Sequence, residues 1–254
     1  MRYRHSYEIR RRDTGRDECL TPDALYDYLQ ETAILHSDSV DLGANSLAGH
    51  GLAWILNRVI VHVDRYPRRR EVVTIETWAN NLRGLYAIRE WRALDESGVV
   101  FACATSRWFL INIEKRKPAR IPGFIAEAYG EIPEDRAIDD PFDRVSPIET
   151  GETTKSFHVR LSDLDTNQHA NSSRYIDWAI EAVPLSILES HNPCMIDVGY
   201  KQEGLLGDGL VSTSARANDD EDGPAFDHVI RREGSGEVLA MGRTRWRQAA
   251  EFGL

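Results

Sequence analysis

The chain repeats itself, and that constrains its fold more than any single motif does. The segment L-Y-D-Y-L-Q-E at 25–31 lies over Y-I-D-W-A-I-E at 175–181. This offset of 150 matches Asp27 with Asp177, Tyr28 with Trp178 and Glu31 with Glu181. Further on, E-V-V-T-I-E (71–76) lies over G-L-V-S-T-S (209–214), and S-R-W (106–108) over T-R-W (244–246). Both of these fall at a smaller offset of 138. An extra loop in the first half, around D-L-G-A-N-S-L-A-G-H-G, absorbs the difference. Each match is weak alone; three matches at two self-consistent offsets favour duplication over an unrelated pair of units.

The local patterns fill in the repeat. Thr21-Pro22-Asp23 reads as an N-cap, a proline at the first helical position and an acid in the first turn. A helix is expected over 22–38, with Leu25, Tyr28, Leu29 and Ile34 as apolar positions. A second begins near Ser172, with Tyr175, Trp178, Ala179 and Ala182 at helical spacing, and Pro184 restarts the chain as a short further helix. Strands are expected at Tyr3–Arg11, Trp54–Val63, Val72–Ala79, Tyr86–Leu94 and Val99–Asn112. Those of the second half are Thr154–Leu161, Met195–Glu203, Leu210–Ala217, Ala225–Arg232 and Val238–Gln248. Both halves therefore read strand, helix, four strands. This predicts an α+β fold in which each half lays a long helix on an antiparallel sheet, and two such units can join edge to edge. The expected organisation is a first repeat over 1–122, a linker over 123–150 with an acidic, proline-bearing tract, and a second repeat over 151–254.

Composition removes several function classes. With 254 residues, 41% hydrophobic and 28% charged, the chain has the make-up of one or two globular domains. No run of about 18 apolar residues exists, so no membrane-spanning helix is expected. The first residues, M-R-Y-R-H-S-Y-E-I-R-R-R-D, lack the apolar stretch of a secretory signal. Cys19, Cys103 and Cys194 are sparse and widely spaced, which fits a reducing cytoplasm and excludes a disulfide scaffold. No Cys-x-x-Cys pair or His/Cys cluster suggests zinc, and no cofactor or metal is expected. Thirty-one basic against 41 acidic residues give a formal charge of −10, which argues against nucleic-acid binding.

The stretch L-S-D-L-D-T-N-Q-H-A-N-S-S-R-Y-I-D-W carries the chemistry. Asp165, Asn167 and His169 alternate just before a helix, and alternation in extended chain points side chains to one side. A helix start adds unpaired N–H groups and the positive dipole end, where a developing oxyanion would be stabilised. The equivalent first-half positions are Gly15, Asp17 and Cys19, so only one half is chemically equipped. Asp-x-Asn before a helix is equally the signature of an Asx turn, and pattern alone does not separate the two. Asn171, Ser172 or Ser173 can supply the cap and leave the earlier residues free. Glu203, in V-G-Y-K-Q-E-G, is a further carboxylate at a strand end, aligned with Arg65 of the first half.

The segment D-L-D-T-N-Q-H-A-N-S-S-R-Y-I-D-W resembles the signature of the acyl-acyl-carrier-protein thioesterases, the plant plastid enzymes and their bacterial relatives. W-I-L-N-R-V-I-V-H-V-D-R-Y-P-R-R-R-E-V-V and the placement of Y-K-Q-E are similar to that family too, and the resemblance runs over residues 3–248. It implies a tandem hotdog fold and hydrolysis of the thioester between a fatty acyl chain and the carrier's phosphopantetheine arm. It also places the family's catalytic carboxylate, amide, imidazole and glutamate on Asp165, Asn167, His169 and Glu203. Many members carry a cysteine directly after the glutamate; here Gly204 stands there, so water and carboxylates are left to do the chemistry. Cys194 sits before the expected strand and reads as a buried small hydrophobe. In the expected mechanism Glu203 activates water with His169 coupled to it, Asn167 orients, and Asp165 holds its neighbours. Which of Glu203 and Asp165 is the base, or whether a carboxylate is acylated, stays open.

An acyl carrier is strongly acidic, so a chain of charge −10 needs local basic surface to receive it. The candidates are Arg68, Arg69 and Arg70; Lys115, Arg116 and Lys117 with Arg120; and Arg10 to Arg12. The resemblance implies that the acyl chain lies in an apolar cavity between sheet and helix of the first half, with Leu29, Trp54, Leu56 and Trp78 as candidate lining residues. The alternatives are a coenzyme A thioesterase and a non-catalytic acyl-thioester binder. Duplication replaces the obligatory dimer of single-repeat relatives, and a further symmetric homodimer is compatible with it.

Overall fold

A computed structural model describes residues 1–140, 142, 147–217 and 223–249. Residues 141 and 143–146 of the expected linker, and 218–222 and 250–254 of the expected second repeat, lie outside the described residues. The chain divides into two units, one of residues 1–61 and 66–141, the other of 62–65 and 142–254.

The first unit contains β1 (Tyr3–Glu8), α1 (Pro22–Ser39), α2 (Ala44–Gly49), β2 (Leu52–Val63), β3 (Val72–Arg83), β4 (Tyr86–Leu94), β5 (Val100–Asn112), β6 (Lys117–Pro118) and α3 (Gly123–Tyr129). Its strands run β1-β3-β4-β5-β2, with β6 paired to β5. The second contains β7 (Thr153–His158), α4 (Ser172–Glu181), α5 (Leu185–Ser190), β8 (His191–Tyr200), β9 (Gly209–Arg216), β10 (Ala225–Arg232) and β11 (Val238–Gln248), in the order β7-β9-β10-β11-β8. The two orders are the same, each an antiparallel sheet with a helix on one face: a hotdog, present twice along the chain.

The helices form because their buried positions recur every three or four residues. On α1 these include Leu25, Tyr28, Leu29, Thr32 and His36. Ile34, expected among them, falls off that stripe and is 53% exposed. Tyr175, Trp178 and Ala179 are the buried positions of α4, which Pro184 ends. Thr21 stands at the N-cap of α1 but caps no amide with its side chain. In α4, Asn171 is the capping residue: its Oδ1 accepts the Ser173 N–H at 3.1 Å.

The offset of 150 holds from β1/β7 through the start of the helices. It also reveals a device that the aligned segments did not show. Arg10 and Asp13 close a turn in which the Arg10 backbone N–H and Nε donate to Asp13 Oδ2; Arg160 and Asp163 close the same turn with the same atoms. The offset of 138 needs correction at the β3/β9 end. There Tyr7 pairs Val73 where Phe157 pairs Leu210, and Cys19 bridges Arg68 where His169 bridges Leu205, so the offset is 137. The counterpart of Glu203 is thus Tyr66, not Arg65. At β5/β11 the offset is 138, and Trp108 Nε1 donates to Ser106 Oγ as Trp246 Nε1 donates to Thr244 Oγ1.

The stretch expected as a linker is no free connector over its first part. Residues 131–140 cover the outer face of the first sheet, where Arg136 Nε and the Ala137 N–H reach the buried Glu90 carboxylate. Asn80 donates to the carbonyls of Pro133 and Glu134. The physical reason is that Trp78 and two carboxylates, Glu76 and Glu90, face outward on this sheet and need partners once buried. No helix among the described residues is long and apolar enough to cross a membrane.

Candidate active site

Two turns of the second unit build the site. In the first, Asp165 N–H donates to the His169 carbonyl at 2.8 Å, and Asp165 Oδ1 accepts the N–H groups of Asn167 (2.8 Å) and His169 (3.2 Å). Gln168 takes a left-handed φ of 65° to close it. The expected extended alternation is therefore absent: these side chains are gathered by an Asx-type turn, with Asp165 as its clasp. Asn167 is exposed, its Nδ2 3.5 Å from Asp165 Oδ2.

The second turn follows β8, which ends at Tyr200, so Glu203 stands beyond the strand rather than within it. Ala170 N–H donates to the Gly204 carbonyl at 2.8 Å, and His169 bridges Leu205. This stitching brings His169 Nε2 to 3.2 Å from Glu203 Oε2, with the side chains 35% and 60% exposed. The result is an imidazole–carboxylate pair open to water, directly before α4. The Glu203 carbonyl is held by Arg232 Nη2 at 2.8 Å. Underneath, Tyr175 Oη accepts the Gly204 N–H at 2.7 Å, and burial pushes the Tyr175 hydroxyl up to about 12.

The helix start is less open than expected, since Asn171 already takes the Ser173 N–H. Cys194 lies inside β8, buried, its Sγ directed at the Arg245 carbonyl 3.4 Å away. The first unit's counterpart turn keeps the backbone shape: Gly15 N–H donates to the Cys19 carbonyl, and Asp17 Oδ1 accepts the Cys19 N–H. Its chemistry is absent. Cys19 is buried and its thiol is pushed up by that burial and by Asp17.

The expected lining residues of the first half are not brought together. Trp91 Nε1 donates to the Leu29 carbonyl, on the α1 face of the sheet. Thr77 points to that same face, where Arg89 Nη1 bridges it to His36. Its neighbour Trp78 therefore points to the opposite face. Trp78 lies beneath the guanidinium groups of Arg2 (4.3 Å) and Arg92 (5.1 Å), with Nε1 on the Asp135 carbonyl. Sheet pleating thus rules it out as a wall between sheet and helix. Trp54 packs against the core cluster that includes Leu42, Leu47, Leu82 and Leu110, and Leu56 is half-buried.

The basic runs divide as well. Arg68, Arg69 and Arg70 form the turn before β3, where Arg70 N–H donates to the Ile9 carbonyl and Arg69 N–H to that of Glu18. This sets them beside Arg10 to Arg12. Lys115, Arg116 and Lys117 are exposed at the β5–β6 turn, by the other end of β3. A 12-residue strand places the two turns about 40 Å apart. Among the described residues no group of His, Cys, Asp and Glu could hold a metal ion.

The duplicated hotdog carries the His169–Glu203 pair in its second module, where the first has Cys19 and Tyr66. Residues 1–129 match the acyl-ACP thioesterase N-terminal domain and residues 147–248 the C-terminal domain of the same family. The chain belongs to the acyl-ACP thioesterase family. It is 32% identical over 269 residues to a chloroplastic palmitoyl-acyl carrier protein thioesterase of Gossypium hirsutum, covering 96% of this chain and 63% of that protein. It is 29% identical over 257 residues to an acyl-[acyl-carrier-protein] hydrolase of Cuphea viscosissima, covering 96% and 61%. The chain thus spans about three fifths of the length of these plant relatives. Among solved structures, the 12:0-ACP thioesterase of Umbellularia californica superposes with a TM-score of 0.85 at 25% identity, covering 97% of both chains. An acyl-ACP thioesterase of Bacteroides thetaiotaomicron, at 24% identity and a TM-score of 0.86, covers 97% of this chain and 98% of its own and shares the fold.

Proposed function

We propose that the chain hydrolyses the thioester of fatty acyl-acyl-carrier protein, releasing a free fatty acid and the carrier's thiol. One observation carries this reading: His169 Nε2 lies 3.2 Å from Glu203 Oε2, at positions where the other module has Cys19 and Tyr66. The family and the plant relatives named above support the substrate class.

Glu203 is the general base. It takes a proton from a water whose oxygen attacks the thioester carbon, while His169 holds the carboxylate by its other oxygen. The C–S bond of the tetrahedral intermediate then breaks, and the proton held by Glu203 passes to the departing sulfur. Asp165 is assigned the holding role, because its Oδ1 is occupied by two backbone N–H groups and sets the turn that carries His169. Asn167, exposed beside the pair, orients the water or the carbonyl. The acyl chain is assigned to the first unit. The second unit's cavity behind Tyr175, lined by Ala179, Val198, His228 and Met241, measures about 10 Å3, the room of one water. Cys19, Cys103 and Cys194 are free thiols.

The test is release of free thiol from acyl-carrier and acyl-coenzyme A esters. Carrier esters are expected to turn over, with Glu203→Gln and His169→Ala each losing about 10²–10⁴-fold in kcat. Wild-type turnover by Glu203→Gln would remove it as the base.

A further inference from the structure

The buried tyrosine under the catalytic turn has no part in the chemistry above, yet it touches the backbone that carries the base. Tyr175 Oη accepts the Gly204 N–H at 2.7 Å, one peptide beyond Glu203. The ring is held edge-on by Trp178 at 5.1 Å and by Tyr200 at 5.5 Å between centroids, so the hydroxyl has a fixed position. Gly204 fits closely: a Cβ there would stand 3.0 Å from Tyr175 Oη and 3.3 Å from Ala170 Cβ.

The first unit supplies the control. Its turn has the same backbone bond, Leu20 N–H to the Pro67 carbonyl at 2.8 Å, where the second has Ala170 N–H to Gly204. At the counterpart positions, however, Leu25 replaces Tyr175 and Pro67 replaces Gly204. The hydroxyl and the N–H are both gone, and the turn still forms. The tyrosine–glycine bond is therefore not what the fold of this turn requires. It occurs only where a glutamate must meet an imidazole.

We propose that Tyr175 is the positioning residue of Glu203, fixing the 203–204 peptide through the Gly204 N–H so that the carboxylate stays within reach of His169. The inference rests on Glu203 being the base. The carboxylate is 60% exposed, and among the described residues the direct restraints on Glu203 are the Arg232 bond to its carbonyl and the His169 contact.

The experiment is a kinetic cycle on the full chain with dodecanoyl-acyl-carrier protein as substrate. Tyr175→Phe is expected to lower kcat at least tenfold with KM within twofold. In the Glu203→Gln background the same substitution is expected to change the residual rate by less than threefold, because Tyr175 acts through Glu203 alone. Wild-type kcat in Tyr175→Phe, or a loss that multiplies fully with that of Glu203→Gln, overturns the proposal; a merely structural residue would give the latter. Should Tyr175→Phe fail to fold, Gly204→Ala keeps the hydroxyl and displaces the turn. It is expected to show the same drop and the same lack of additivity, and full additivity overturns the proposal there too. Turnover by Glu203→Gln at the wild-type rate would instead dismiss the base itself. An inactive Glu203→Gln beside a fully active Tyr175→Phe would dismiss only the positioning role.

Discussion

Gly204 shows how much one side chain's space decides. Its N–H is bonded to Tyr175, and its missing Cβ leaves room among Tyr175, Ala170 and Val159 that a thiol would overfill. Gly204→Cys is expected to cost about 1–3 kcal/mol of stability, the range for overpacking a buried site, and to bring no gain in turnover. Urea unfolding and thiol release measure the two effects. A faster Gly204→Cys enzyme would show that this turn accepts a thiol nucleophile after all. Asp165, Asn167 and His169 stood out in the sequence as polar residues before a helix, whereas Glu203 was singled out by the family resemblance; the structure brings His169 and Glu203 to 3.2 Å. Tyr175 was not legible, since an aromatic at helical spacing reads as core, which it also is. Comparing the halves position by position, Tyr175 with Leu25 and Gly204 with Pro67, is the signal that finds it.

The Arg-x-x-Asp turn is what the two halves share most closely among their elements. In the second, burial raises the Asp163 carboxyl, but the Arg160 guanidinium and backbone N–H outweigh it and hold the group below its ordinary range. A depressed folded value means stability that is complete above the unfolded carboxylate pKa of about 3.9 and is lost as pH falls through the folded one. Asp163→Asn is therefore expected to melt a few degrees below the wild type at neutral pH, with the gap closing below about pH 4. A gap that stays constant as pH falls from 5 toward the acid unfolding limit would mean the side chain acts by shape and not by charge. Most strands and both long helices could be read from periodicity. The one-residue register error between β3 and β9 could not be avoided that way: Val72, Val73 and Ile75 match Leu210 and Val211 almost equally well one step apart, and the strand pairings and turn bridges fix the phase. The short helices α2 and α3 were missed because six or seven residues give too little periodicity to see.

For the whole molecule, a formal charge of −10 must be reconciled with an acidic partner. The arginines at 10–12 and 68–70, all exposed but the half-buried Arg69, pool at one end of the first unit, whereas Lys115, Arg116 and Lys117 stand about 40 Å away, several screening lengths at physiological salt. One docked carrier contact is not expected to use both. Reversing Arg68, Arg69 and Arg70 to glutamate should raise KM for acyl-carrier substrate about tenfold or more and leave the acyl-coenzyme A KM unchanged. The same reversal at 115–117 should leave both unchanged. Equal KM values in all variants would place docking elsewhere. Net charge is legible in any sequence, but its distribution depends on which turns meet, and here the Ile9–Arg70 and Glu18–Arg69 bonds decide it.

The proline at 67 reaches beyond the present molecule. Placing a histidine at Cys19 and a glutamate at Tyr66 would leave that glutamate on a peptide with no N–H to anchor and no hydroxyl at Leu25 to anchor it. A single substitution therefore cannot carry the second module's arrangement into the first. Pro67 closes that road at the backbone, whatever side chains surround it.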